Sequence, residues 1–179
     1  MKNFFNAQCM DLSHEGLGVV RKDEKPYFVF DLLPGEKGKI EVIKENKNYG
    51  YGKIVQRNNS SQYRINPLCV SFGKCGGCDL CHMDYDYETD FKLKMVNETY
   101  KRIGHLDYTF KKIITADNTS HYRNKVQIPF ALKNGKNICG FYKKQSHEII
   151  EIRSCLLQTE ITTDIAIFVK NIMNEYKIN

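Results

Sequence analysis

Between residues 5 and 57 apolar and polar positions alternate in short runs, with glycine-containing turns between the runs. Period-two alternation of this kind is the pattern of half-buried strands. Ala7 to Leu12 reads as a first strand, ended by the turn Ser13-His14-Glu15-Gly16-Leu17-Gly18. Val19 to Lys22 follows, then the charged turn Asp23-Glu24-Lys25-Pro26 and the strongly β-prone Tyr27-Phe28-Val29-Phe30. Beyond the turn Leu33-Pro34-Gly35-Glu36, Lys39 to Lys44 and Tyr51 to Gln56 alternate again. Five short strands in this span predict a small closed barrel of the OB type.

Asn58 to Gln62 is a polar, turn-forming linker. Downstream of a cysteine-rich stretch the period changes to that of a helix. Phe91, Met95, Thr99 and Ile103 share a face, Asp84 is placed to cap the first turn, and Gly104 to end the last. Strand character returns at Tyr122–Phe130 and Ile138–Tyr142, which flank the hairpin turn Lys133-Asn134-Gly135-Lys136, and again at His147–Ile152. A second helix carries Ile161, Ile165, Phe168, Ile172 and Tyr176 on one face. The fold class expected is mainly β: an N-terminal five-stranded barrel over 1–58, then a small cysteine-rich α+β domain over 66–179 with strands and two helices.

Composition narrows the class of protein. No run of the 179 residues approaches the roughly 18 consecutive apolar side chains of a membrane span. Met1 to Asn6 lacks the apolar core of a secretory signal, so the expectation is a cytoplasmic monomer with no membrane partner. The net charge is +6, and the excess lies late: residues 121–179 hold 9 basic and 5 acidic side chains, against 8 and 8 in residues 61–120. A balance this mild permits a nucleic-acid partner without requiring one.

The seven cysteines say more. Cys69, Cys75, Cys78 and Cys81 fall within thirteen residues, and Cys9, Cys139 and Cys155 stand apart. An odd count without an export signal argues against a disulfide framework. Thiols two residues apart beside Gly76 and Gly77 converge readily on one metal centre, because glycine lets the backbone turn tightly and bring its N–H groups toward sulfur. The spacing favours an iron–sulfur cluster over zinc, whose usual paired spacing is missing, and over buried structural thiols. A [4Fe–4S] cluster needs four ligands. Beyond Cys69, Cys75 and Cys78, spacing alone leaves Cys81 and Cys155 both open. Cys9 and Cys139 sit in strand patterns as ordinary small core residues.

These motifs, taken together, resemble a known family. Asp11 to Val20, Phe28-Val29-Phe30 and Leu33-Pro34-Gly35-Glu36 look like a TRAM domain. Cys69 to His82, with Cys-Gly-Gly-Cys inside, resembles the iron–sulfur segment of the RNA uracil-5-methyltransferases. Tyr122-Arg123-Asn124-Lys125-Val126, Gly140-Phe141-Tyr142 and Ser146 to Ile150 resemble that family's central domain. The resemblance implies an RNA-binding barrel and a [4Fe–4S] cluster on Cys69, Cys75, Cys78 and Cys155, with Cys81 where a non-ligand is expected. It implies methylation of uracil carbon 5 in ribosomal or transfer RNA by S-adenosylmethionine. In the family the catalytic cysteine, the base and the cofactor loop belong to a C-terminal Rossmann-like domain. No strand, Gly-rich loop and helix of that kind occurs in this sequence, so the chain alone is expected to bind RNA and not to methylate it.

Arg123, Lys125, Phe141, Lys143 and His147 are the candidate RNA contacts. Cations that track phosphates, interleaved with rings that stack on unpaired bases, suit single-stranded RNA. The same lysines would also serve as charges that keep edge strands from aggregating; the family resemblance tips the reading toward RNA. The alternatives are a free-standing iron–sulfur electron carrier and a structural zinc-binding RNA-binding module.

Overall fold

The computed structural model describes residues 2–178. Six strands form the first sheet: β1 Phe4–Gln8, β2 Asp11–Leu12, β3 Gly18–Lys22, β4 Lys25–Phe30, β5 Lys37–Glu45 and β6 Gly50–Arg57. Their order is β1-β5-β6-β4-β3-β2, with β4 and β6 parallel and every other pair antiparallel. The single first strand expected from sequence is divided in two. At Cys9 the backbone N–H donates to Glu36 O (2.8 Å), and at Met10 it donates to Val19 O (2.9 Å). The chain thus leaves β5 and joins β3 within two residues. With β1 and β2 counted as one bent strand, the sheet curls back on itself as the expected five-stranded barrel.

Alternation decides what lies inside. Cys9, Val20, Tyr27, Val29, Leu32 and Ile40 are buried together, with Phe5, Ala7, Val42 and Ile54 packed around them. The Cys9 thiol donates to Asp11 O, and burial pushes its pKa up to about 12, so it is an inert core group. The turns form where the sequence places them. Asp23 and Glu24 both adopt the left-handed conformation between β3 and β4, and Gly35 does so after Pro34.

Helix α1, Tyr85–Arg102, follows the cysteine segment. Asp84 caps it as expected, its carboxylate accepting from the N–H groups of Asp86 and Tyr87. The left-handed residue at its C-terminal end is His105 rather than Gly104. Gly104 serves by its size: a Cβ there would lie 2.8 Å from Tyr100 O.

The compact units interleave in sequence. One comprises the chain up to Asn66 together with His82–Ile113; the other comprises Pro67–Cys81 together with the chain from Ile114 onward. Helix α1, placed with the cysteines in the 66–179 domain by sequence, groups with the barrel. Long-range contacts explain why. Tyr87 stacks on Tyr63 with centroids 4.0 Å apart, Lys94 pairs with Asp11 (2.9 Å), and Asp84 N–H donates to Tyr63 O (2.8 Å). His82, fully buried, lies near the Phe30 ring, and burial lowers its pKa to about 4.

In the second unit β7 Phe130–Lys133, β8 Lys136–Tyr142 and β9 Ile149–Glu151 form a meander, and α2 Glu160–Glu175 follows. The β7–β8 hairpin turns at Asn134-Gly135, both with positive φ. The expected strand Tyr122–Phe130 is irregular until its last residue. Pro129 cannot donate to a ladder, and upstream only Arg123 bridges, in parallel, to Gln158. The last strand is shorter than expected, Ile149–Glu151 rather than His147–Ile152. In α2 the buried residues are Thr163 and Ala166, while Ile161 and Phe168 are 66% and 64% exposed. Among the described residues no helix is long and apolar enough to cross a membrane.

Candidate functional site

The cysteine segment is shaped by successive tight turns. Phe72 N–H donates to Cys69 O (3.1 Å), and Cys75 N–H to Ser71 O (2.9 Å), with Gly73 in the left-handed region between them. These bonds fold Cys69 back toward Cys75. The segment then docks on the β8–β9 turn. Gly76 N–H donates to Tyr142 O (2.9 Å), Cys75 bridges to Lys143, and the Lys144 ammonium pairs with Asp79 (2.5 Å). A side chain at 76 would be crowded, because a Cβ would lie 3.0 Å from Lys144 Cα and 3.1 Å from Tyr142 O and the docked turn would have to shift.

Four thiols share one electrostatic neighbourhood. Burial raises the Cys75 pKa, the Gly77 N–H on its sulfur (3.3 Å) opposes that, and Cys78, Cys69 and Cys155 raise it further. The charge of Cys155 is thus felt at Cys75 although the two lie far apart in sequence. Cys78 is raised most by a hydrogen bond with the Cys81 thiol, then by burial, while the charge of Arg123 opposes both. All five of these cysteines are half-buried. Among the described residues no three His, Cys, Asp or Glu side chains stand close enough to hold a single metal ion. The chemistry of the donor set suits a cluster: soft thiols lie on a glycine-rich loop, and the Gly77 N–H donates to the Cys75 sulfur (3.3 Å).

The RNA-contact candidates divide. Lys143 and His147 lie on the β8–β9 turn to which the cysteine segment is docked. Lys143 N–H donates to Glu148 O (2.8 Å), its ammonium is 3.5 Å from the Glu148 carboxylate, and His147 meets the Tyr142 ring edge-on at 5.7 Å. Phe141, on β8, sits half-buried opposite Ile150. Arg123 is exposed, its N–H on Leu157 O (2.8 Å) and its charge felt at Cys78. Lys125 is exposed on the irregular stretch. Sequence reading singled out Lys144 as a basic residue beside the aromatic rings but missed Asp79, whose pairing with it secures the loop. The only signal of Asp79 is an acidic residue inside the cysteine motif.

No protein-family model matches the chain. Named relatives do. An uncharacterized RNA methyltransferase of Oceanobacillus iheyensis is 42% identical over 170 residues, covering 94% of this chain and 37% of that protein. One from Listeria monocytogenes is 43% identical over 150 residues (84% and 33%), and one from Clostridium acetobutylicum 37% over 179 (98% and 39%). A crystal structure of the Pyrococcus abyssi tRNA (uracil-54, C5)-methyltransferase with S-adenosyl-L-homocysteine superposes with a TM-score of 0.67. It is 21% identical and covers 97% of this chain and 37% of that one. The fold is thus that of the N-terminal region of an RNA-modifying methyltransferase. The chain is similar to one part of these RNA methyltransferases, and it spans 33–39% of the length of the relatives named.

Proposed function

We propose that the chain is the RNA-recognition and iron–sulfur portion of an S-adenosylmethionine-dependent RNA (uracil-5-)-methyltransferase acting on ribosomal or transfer RNA. The observation that carries this reading is the glycine-rich cysteine loop docked on the basic β8–β9 turn, through the Gly76 N–H on Tyr142 O (2.9 Å) and the Cys75–Lys143 bridge. The relatives' names support the RNA methyltransferase part. The motif order and the fold shared with a tRNA uracil methyltransferase support the uracil reading. Cys69, Cys75, Cys78 and Cys155 would hold a [4Fe–4S] cluster, which when bound supplies a cross-link between the loop and the segment after β9. The cysteine spacing, which lacks the paired pattern usual for zinc, favours the cluster over zinc.

The chain's own residues would bind and orient the substrate. Arg123, Lys125 and Lys143 would meet phosphates, and His147 and Phe141 would offer rings to unpaired bases. Methyl transfer, with S-adenosylmethionine as donor, would rest on the part of the longer relatives that this chain does not span.

Binding of a uridine-containing stem–loop RNA by the 179-residue chain tests the reading. Affinity should fall steeply with salt, because phosphate neutralisation releases counterions. Lys125→Ala should weaken binding and reduce the salt slope by about one. Absence of binding at low salt, or binding indifferent to salt, would refute it.

A further inference from the structure

The barrel carries a second feature that none of the cysteine or β8–β9 residues explains. Along β4 the buried residues are Tyr27 and Val29, and along β6 they are Gly50 and Gly52. Alternation therefore turns Phe28, Phe30, Tyr51 and Lys53 outward. The parallel pairing sets Phe28 directly beside Tyr51, and β5 sets Lys44 on the other side of Tyr51. Tyr49 belongs to the β5–β6 loop, not to a strand, yet its ring lies on the same face. The Phe28–Tyr51, Phe28–Tyr49 and Tyr49–Tyr51 centroids are 5.9, 6.1 and 5.8 Å apart. A cross-strand pair stabilises a sheet and would account for Phe28 and Tyr51. It does not account for a third, 39%-exposed ring drawn in from a loop.

The charges around this patch have one sign available. Lys44, Lys47 and Lys53 border it and are exposed, and among the described residues no ion pair involves them. The neighbouring acids are engaged: Glu41 with Lys2 (2.9 Å), and Glu45 with Lys25 (2.8 Å) and the Tyr27 hydroxyl (2.7 Å). With β1 and β2 counted as one strand, Phe28 lies on the third strand and Tyr49 in the loop between the fourth and fifth. In five-stranded barrels the face of strands two and three and that loop are where oligonucleotides lie. One exposed ring, Tyr49, backed by the half-buried Phe28 and Tyr51 and bounded by unpaired cations, is the chemistry of a base-stacking groove.

We infer that Phe28, Tyr49 and Tyr51, bordered by Lys44, Lys47 and Lys53, form a platform on which unpaired bases of single-stranded RNA stack. The inference rests on the RNA-binding reading above but uses different residues, so the two can fail separately.

The sequence has no tryptophan, so Tyr49→Trp introduces a sole reporter on the platform itself. Its emission should be quenched by an oligouridine of roughly twelve nucleotides, within the span an OB barrel covers. Raising the salt should reverse the quenching. Tyr49→Ala should weaken oligouridine binding about tenfold, as expected for one lost base–aromatic stack. Tyr51→Leu, which keeps apolar packing, should do the same with the far-UV circular dichroism unchanged. An RNA duplex of equal length should bind the wild-type chain more weakly, since its bases are not free to stack. Unchanged tryptophan emission, or wild-type affinity in Tyr49→Ala while Lys125→Ala still weakens binding, would overturn the platform and leave the RNA reading intact. Preference for oligothymidine DNA would overturn its assignment to RNA. Failure of the wild-type chain to bind any RNA would sink both.

Discussion

Glu36→Gln should destabilise the barrel more than any other conservative change to a charged residue. Glu36 is wholly buried, and its two oxygens accept five hydrogen bonds. Oε1 takes Arg64 Nε (2.5 Å) and Ser61 N–H (3.1 Å); Oε2 takes Leu33 N–H (2.9 Å), Arg64 Nη2 (2.8 Å) and Arg57 Nε (3.2 Å). The carboxylate thus ties the Leu33–Glu36 turn to β6 and to the segment beyond it. An amide keeps the shape but replaces one acceptor by donors that face arginine N–H groups. Breaking a buried pair of this kind costs about 3–5 kcal/mol. Asp31 remains to pair with both arginines, at 2.7 Å from Arg64 and 3.1 Å from Arg57, so the lower figure, about 3 kcal/mol, applies. Against a total stability on the order of 5–15 kcal/mol that is a large fraction. Urea unfolding followed by tyrosine near-ultraviolet dichroism measures it. Burial alone would raise the Glu36 pKa, but the bonds from Arg64, Leu33 and Ser61 outweigh it and hold the carboxyl below its ordinary value. Its contribution is therefore complete above the unfolded-state pKa and is lost as pH falls through the lower folded value. The deficit of Glu36→Gln relative to wild type should shrink below about pH 4. A loss under about 1 kcal/mol at neutral pH, or a deficit that grows on acidification, would refute the reasoning.

Other outcomes follow from the cysteine segment. In anaerobically prepared protein, Cys155→Ser should lose most of its iron and Cys81→Ser little; the reverse ranking would move the fourth ligand to Cys81. Gly76→Ala should lower iron content, because the added Cβ meets Lys144 Cα at 3.0 Å, while hydrogen exchange in β3–β6 stays unchanged. Full iron loading in that variant would show that the docked turn is not required. Chelation of the iron should deprotect residues 67–81 to exchange and leave the barrel, with the buried His82 and Met83, protected, since the loop buries little apolar material. Equal protection before and after chelation would contradict this.

The barrel was legible because alternation and turn chemistry agree along residues 18–57: Asp23-Glu24 and Gly35 bend where the apolar period breaks. The division of the first strand was not legible. It is set by which partner each N–H finds, Glu36 O for Cys9 and Val19 O for Met10, and that is a property of closure. The period of α1 was read correctly, but its place with the barrel depends on the Tyr63–Tyr87 stack and the Lys94–Asp11 pair, contacts distant in sequence. In α2 the spacing of Ile161, Ile165 and Phe168 announces a helix, whereas the side covered is that of Thr163 and Ala166, where small residues let the helix approach β8. The cysteine motif stood out in the sequence, whereas the charge of Cys155 felt at Cys75 shows only in the fold. The aromatic patch at Phe28, Tyr49 and Tyr51 left no motif, because its rings come from a strand, a loop and another strand and meet only through the parallel β4–β6 pairing.

The central claim is that Cys69, Cys75, Cys78 and Cys155 form a cluster site in an RNA-binding protein, and metal and sulfide analysis of anaerobically purified protein tests it most directly. The account predicts brown protein with roughly four iron atoms and four acid-labile sulfides per chain, as a Cys₄-ligated [4Fe–4S] cluster requires. Colourless protein with about one zinc and no sulfide, as expected of a structural zinc module, would contradict it.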